Sequence, residues 1–337
     1  MSDGATSPTT KAVLLVNLGT PEAPTVKAVR RYLKEFLSDP FVIDLPALFR
    51  WLLLHLIILP FRPKRSAHAY QQIWTARGSP LLLHSQAQRD ALAPRVPGQT
   101  VKLAMRYGRP SIPEVLTQLR AEGAREVTVV PLYPQRADAT TTTTVERVKD
   151  LAQGLELHVV PAFHASPKFI EAAAARVKQV MTTSGAEHVL FSYHGLPVRH
   201  VARACGKPCD RSTECPASSA GSDCYRAQCF ATSRAIAAAA GLTSFSTAFQ
   251  SRLKGATWIG PFTDEALVAL AQKGIKRVAV ACPSFVADCL ETLEEIGQRG
   301  AETFKAAGGE ALTLVPAVND DPTFIDALAD EIRKVTP

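Results

Sequence analysis

VPAFHASPKFIEA (Val160–Ala172) and VPAVNDDPTFIDA (Val315–Ala327) hold Pro, Ala, Pro, Phe, Ile and Ala at identical spacing. Each reads as the end of a short strand, a loop, and a helix opened by Pro, where the missing N–H costs nothing. Working outward, REVTVVPLYP (Arg125–Pro134) resembles KRVAVACPSF (Lys276–Phe285). Both have a basic start, a β-branched run, and a Pro where the strand must stop. LVNLGTP (Leu15–Pro21) likewise resembles FSYHGLP (Phe191–Pro197), an apolar strand running into G-x-P. Three matches in one order imply two similar α/β halves, about 11–180 and 186–337. Helical patterns at Ser111–Glu122 and Asp264–Lys273 alternate with the strands. That alternation predicts parallel sheets with helices on both faces. Ligands of such sheets sit outside the carboxyl ends of the strands. The loops after Val16, Val130, Ser192 and Ala281, and the cleft between the halves, are therefore where a site is expected.

Composition narrows the function. The chain has 337 residues, 46% hydrophobic and 20% charged, which is globular and excludes a disordered chain. A net charge of +7 favours an anionic partner, but the basic residues are scattered and form no nucleic-acid arm. Neither half carries G-x-G-x-x-G or a P-loop, so no nucleotide site is indicated. The polar start MSDGATSPTT has no apolar h-region, and a cytoplasmic protein with reduced thiols is expected. FVIDLPALFRWLLLHLIILPF (41–61) is broken by Asp44, Pro46, Arg50, His55 and Pro60. It is too interrupted to span a bilayer. With Arg62–Arg65 (RPKR) after it, the segment 41–65 reads either as a lip touching a membrane surface or as a core helix with a solvated basic end.

Two of the strand ends carry chemistry. His194 closes Tyr193-His194-Gly195-Leu196-Pro197, a position suited to proton transfer or metal work. Asp288, Glu291 and Glu295 stand at i, i+3 and i+7, so a helix opening after Pro283 places them on one face. Spacing alone fits a solvated acidic face at a helix start at least as well as a cation or proton path.

Five of seven cysteines fall at Cys205, Cys209, Cys215, Cys224 and Cys229, in loop-forming sequence. Such a segment has too few apolar residues to make a core, and a metal centre is its expected organiser. The paired C-x2-C of a zinc ribbon is absent, and irregular thiolate spacing is compatible with an iron–sulfur cluster. A structural zinc or idle thiols are the alternatives. Cys282 and Cys289 lie in strand and helix patterns and read as small buried residues.

LLVNLGTPEAPT, YQQIWTARGSPL, AMRYGRPSI, VVPLYPQ with its Thr run, LFSYHGLP, FQSRLKGATWIGPFTDE and PSFVADCLETLEEI together resemble the ferrochelatase family, in family order from about residue 13 to 297. The resemblance implies two Rossmann-like halves around a porphyrin cleft, and insertion of Fe(II) into protoporphyrin IX with release of two protons. Coproporphyrin as the substrate, cobalt insertion by a related chelatase, or a porphyrin carrier without turnover are the alternatives. By the same resemblance His194 and Glu291 are the active-site pair, and both meet the Fe(II). Asp288 and Glu295 form an acidic path behind them. Tyr70, Ser79, Arg106 and Tyr107 line the pocket or contact propionates. Leu18, Tyr133 and Phe285 pack on the macrocycle. Bacterial members without the Cys-rich insert (here 203–229) keep a Cys where Cys229 stands. The resemblance therefore leaves Cys205, Cys209, Cys215 and Cys224 as ligands of a [2Fe–2S] cluster. It also implies a cytoplasmic enzyme that meets the inner face of the membrane through 41–65.

Overall fold

The computed structural model describes residues 11–205, 209, 214–216, 221–252 and 256–336, with the side chains of 204 and 205 excepted. The first half runs β1 (Lys11–Thr20), α1 (Val26–Ser38), α2 (Ala47–Leu52), a π-helical stretch Leu53–Ile58, α3 (Leu59–Ile73), α4 (Pro80–Leu92), β2 (Thr100–Gly108), α5 (Ile112–Ala121), β3 (Glu126–Pro131), α6 (Thr143–Leu151), β4 (Glu156–Val159) and α7 (Pro167–Ser184). The second runs β5 (His188–His194), α8 (Val198–Cys205), α9 (Tyr225–Ala240), β6 (Phe245–Gln250), α10 (Thr263–Gln272), β7 (Arg277–Ala281), a π-helix Glu291–Gly300, α11 (Ala301–Ala306), β8 (Ala311–Leu314) and α12 (Pro322–Val335).

The strand orders are β2-β1-β3-β4 and β6-β5-β7-β8, parallel throughout. The same order in both sheets is the structural form of the sequence repeat. β1 and β5 are central and apolar along their length, as strands covered on both faces must be. The repeated Pro-Phe-Ile motif opens α7 and α12, with Pro in the first turn of each. Asp321 caps α12 by accepting the Thr323 N–H at 2.9 Å.

These two helices meet between the sheets. Phe169 of α7 and Phe324 of α12 pack with Phe163, ring centroids 5.7–6.3 Å apart. α12 lies on α4 and α7, and α7 lies on α9. One apolar core therefore runs through both halves. It fixes the two sets of carboxyl strand ends relative to each other.

The segment after α1 is not one helix. α2 and α3 are joined by the π-helical Leu53–Ile58, and Pro63 lies inside α3. Leu54, Leu59, Pro63, Ala67 and Tyr70 are buried beneath, whereas Leu48, Phe49, Trp51, Leu56, Ile57 and Phe61 point outward, Phe61 76% exposed. Among the described residues no helix is long and apolar enough to cross a membrane.

Candidate active site

His194 is the last residue of β5. Its Nδ1 lies 2.7 Å from the Gly195 carbonyl. A carbonyl only accepts, so Nδ1 carries the proton, and in the neutral ring Nε2 keeps its lone pair. Phe285 stands edge-on to the imidazole at 6.5 Å between centroids. The His194 carbonyl accepts the Tyr225 hydroxyl at 2.9 Å. Gly195 is needed for a steric reason: a Cβ there would stand 2.8 Å from the Gln250 carbonyl oxygen. That same oxygen accepts the Gly195 N–H at 2.8 Å.

Glu291 begins the π-helix, and its carbonyl accepts Gln250 Nε2 at 2.9 Å. Glu295 lies within the same helix. Burial pushes its carboxyl above the ordinary range; the Ser251 hydroxyl, donating at 2.5 Å, and the nearby His194 pull it down, and Glu291 adds repulsion. Ser251 holds this bond from a left-handed backbone conformation, φ 67°, which is uncommon for a residue with a Cβ. His194, Glu291 and Glu295 thus share one electrostatic site.

The structure separates Asp288 from that line. The helix opens at Glu291 rather than upstream, so the α-helical i, i+3, i+7 register does not apply. Asp288 Oδ1 accepts the Ala317 N–H at 3.2 Å and the Thr292 hydroxyl at 3.1 Å, and Oδ2 accepts Asn319 Nδ2 at 2.9 Å. Its carboxylate ties down the loop before α12.

Arg106 is also placed differently from a free carboxylate clamp. Its Nη2 pairs with buried Asp39 and donates to Thr143 Oγ1 at 2.7 Å, while the guanidinium lies 4.5 Å over the Tyr107 ring. Tyr107 donates to the same Asp39 at 2.8 Å, and burial raises its hydroxyl. Ser79 caps the start of α4 and shares a 2.8 Å hydrogen bond with Thr20. Tyr70 is buried, and burial followed by the charge of Glu291 raises its hydroxyl. Leu18 packs with the inner face of the lip, together with Leu290 and Leu293 beside Glu291. Tyr133 follows β3 and is 7% exposed.

Sequence reasoning misses Arg62. In the chain it reads as part of a surface basic run, yet its guanidinium lies in the field of Glu291, Tyr70 and Glu295; burial lowers its pKa, and Glu291 opposes that. Only the fold of the lip brings it there.

Among the cysteines, Cys209 and Cys215 pack on the core that contains buried Cys224 and Cys229. Arg226, 1% exposed, directs Nη1 to Cys215 Sγ at 3.0 Å. Cys224 is the N-cap of α9, where N–H groups and the helix dipole favour negative charge. Burial pushes the Cys229 thiol up, the direction of a neutral core cysteine. The Cys205 side chain lies outside the described residues. Among the described residues no three His, Cys, Asp or Glu side chains converge on a metal position. The donor chemistry nevertheless fits a thiolate-bound group: soft sulfur ligands, a buried guanidinium and a helix N-terminus face one another.

A ring nitrogen with a free lone pair, beside carboxylates in a cleft between two matched parallel sheets, defines a chelatase of the two-half type. Solved chelatases share the fold. SirB from Bacillus subtilis with Fe3+ superposes with a TM-score of 0.53 at 13% identity, over 96% of this chain and 95% of that one. CbiX, described as the terminal enzyme of sirohaem biosynthesis in denitrifying bacteria, gives 0.51 at 15% identity, over 97% and 100%. The ferrochelatase family profile matches residues 10–336. Proteins named ferrochelatase are similar along their whole length: 47% identical from Coxiella burnetii (strain Dugway 5J108-111), covering 96% of this chain and 93% of the relative, and 48% identical from Azotobacter vinelandii, covering 96% and 99%. The chain belongs to the ferrochelatase family, enzymes of haem synthesis that insert iron into a porphyrin.

Proposed function

We propose that the substrate pair is Fe(II) and protoporphyrin IX, that His194 is the base, and that Glu291 faces it on the metal side. The observation that carries this reading is the His194 tautomer, which leaves Nε2 able to accept a pyrrole proton. Glu291 and Glu295 offer oxygen ligands to the incoming cation, hard donors that hold a divalent ion weakly enough to release it. Leu18, Tyr70, Tyr133 and Phe285 form walls for the macrocycle. Ser79 and Tyr107 order the N-terminal side, and Arg106, neutralised by Asp39, stiffens that wall. Asp288 acts through the loop it anchors. The units are 11–180 and 186–337, with 41–65 as the lip.

The lip carries an exposed apolar face followed by Lys64 and Arg65, and we place it against the anionic inner face of the cytoplasmic membrane. Cys205, Cys209, Cys215 and Cys224 are the ligands of a [2Fe–2S] cluster, which supplies a one-electron couple when bound. Arg226 and the start of α9 offset its negative charge.

The test is iron insertion by the purified chain, with protoporphyrin IX and coproporphyrin side by side, plus a visible spectrum and iron and sulfide analysis. Turnover of protoporphyrin with about two non-substrate iron and two sulfide per chain is expected. Preference for coproporphyrin revises the substrate, inertness toward both favours a carrier, and a colourless chain holding zinc removes the cluster.

A further inference from the structure

The lip is tied to the opposite half through one carboxylate. Asp44 stands between α1 and α2, and its side chain is only 10% exposed. Arg199 Nε donates to both its oxygens at 2.9 Å, and Arg203 Nη2 donates to Oδ2 at 2.6 Å. His200 Nε2 lies 3.1 Å from Oδ2, off the direction a good hydrogen bond needs. All three basic groups belong to α8, which opens four residues after His194. Among the described ion pairs, these are the ones that join residues 41–65 to the second half. The turn that presents Asp44 is itself braced, since Arg50 Nη1 donates to the Ile43 and Leu45 carbonyls at 3.2 and 2.9 Å.

The other side of the lip meets the site through apolar contact. Leu54, Leu59 and Tyr70 share a cluster with Leu290 and Leu293, which flank Glu291. The lip therefore spans the cleft, with a greasy seat beside Glu291 and a charged one beside the His194 loop. A rigid tetrapyrrole cannot pass without one seat opening. The charged seat is the easier one, because Arg199 and Arg203 are 49% and 57% exposed and water can replace the carboxylate on each.

We propose that Asp44 is a positioning residue that latches the lip onto α8, and that opening of its pairs with Arg199 and Arg203 gates exit of the metallated product. The proposal rests on the ferrochelatase reading for the identity of the product. Its readout, release of bound haem, does not require turnover.

The experiment uses the full chain loaded with haem, follows transfer to an excess of a haem-binding acceptor protein, and compares wild type with Asp44→Asn. Release should be roughly three- to tenfold faster in the variant, the scale of losing exposed ion pairs. The single-turnover insertion rate should stay within about twofold, and KM for porphyrin should rise. The double variant Arg199→Ala/Arg203→Ala should match Asp44→Asn, and adding Asp44→Asn to it should do nothing further. Raising salt should speed release from wild type and not from Asp44→Asn. Unchanged release and unchanged salt response in a folded Asp44→Asn protein overturn the latch. So does a parallel loss of single-turnover rate with constant release, which marks a structural role. If Asp44→Asn does not fold, Arg199→Lys and Arg203→Ala carry the same comparison, and wild-type release in both overturns the proposal. A wild type that binds haem yet inserts no iron refutes the enzyme reading separately.

Discussion

Replacing Gly195 by Ala adds one methyl group to a crowded strand end. The new Cβ would lie 2.8 Å from the Gln250 carbonyl oxygen and 3.4 Å from the Trp258 ring. Ordinary contact to that oxygen begins near 3.4 Å, so the Gly195 peptide must retreat from β6 by about 0.6 Å. Retreat stretches the 2.8 Å N–H bond to the same oxygen and moves the carbonyl that fixes His194 Nδ1 at 2.7 Å. Overpacking and a weakened hydrogen bond together cost about 1–3 kcal/mol, a drop of a few degrees in melting temperature. A misplacement of about 1 Å in a catalytic group can cost about 100-fold, so roughly 0.6 Å scales to a fall in kcat on the order of tenfold. Steady-state iron insertion, with the melting temperature measured on the same preparation, is the assay. A folded Gly195→Ala enzyme with wild-type kcat would refute the idea that this carbonyl positions the imidazole.

Three other outcomes are expected. His194→Ala should lower kcat by about 10² to 10⁴ while porphyrin binding, read by fluorescence quenching, persists; full activity would remove the base assignment. Glu295 has a raised carboxyl, so its neutral form favours the folded state: that stabilisation is complete below the ordinary carboxylate range and is lost as pH rises through the raised value. Glu295→Gln should therefore melt with a flatter pH profile than wild type from about pH 4.5 to neutral, and identical profiles would count against a buried carboxyl there. Lys64→Glu/Arg65→Glu should weaken sedimentation with anionic liposomes, each basic residue contributing about 1 kcal/mol; unaltered binding would leave the apolar face without an electrostatic partner.

The repeat legible in Val160–Ala172 and Val315–Ala327 determined the architecture, because a strand, a loop and a Pro-opened helix are local patterns whose spacing survives folding. The same logic placed His194 at a strand end, since Pro197 and the apolar run before it fix where β5 stops. What spacing could not determine was register within an irregular helix. The π-helix begins at Glu291, so Glu291 and Glu295 stay with His194 while Asp288 turns to Asn319. Nor could sequence assign partners to charges. Arg106 looks like a carboxylate clamp until folding brings Asp39 against it, and Arg62 looks like surface until the lip bends over Glu291. Asp44 and Arg199 are 155 positions apart, with nothing in either neighbourhood that names the other. Backbone periodicity is a short-range property and is written in the chain. The pairing of buried charges depends on which distant surfaces meet, and only the packing of the two halves decides that.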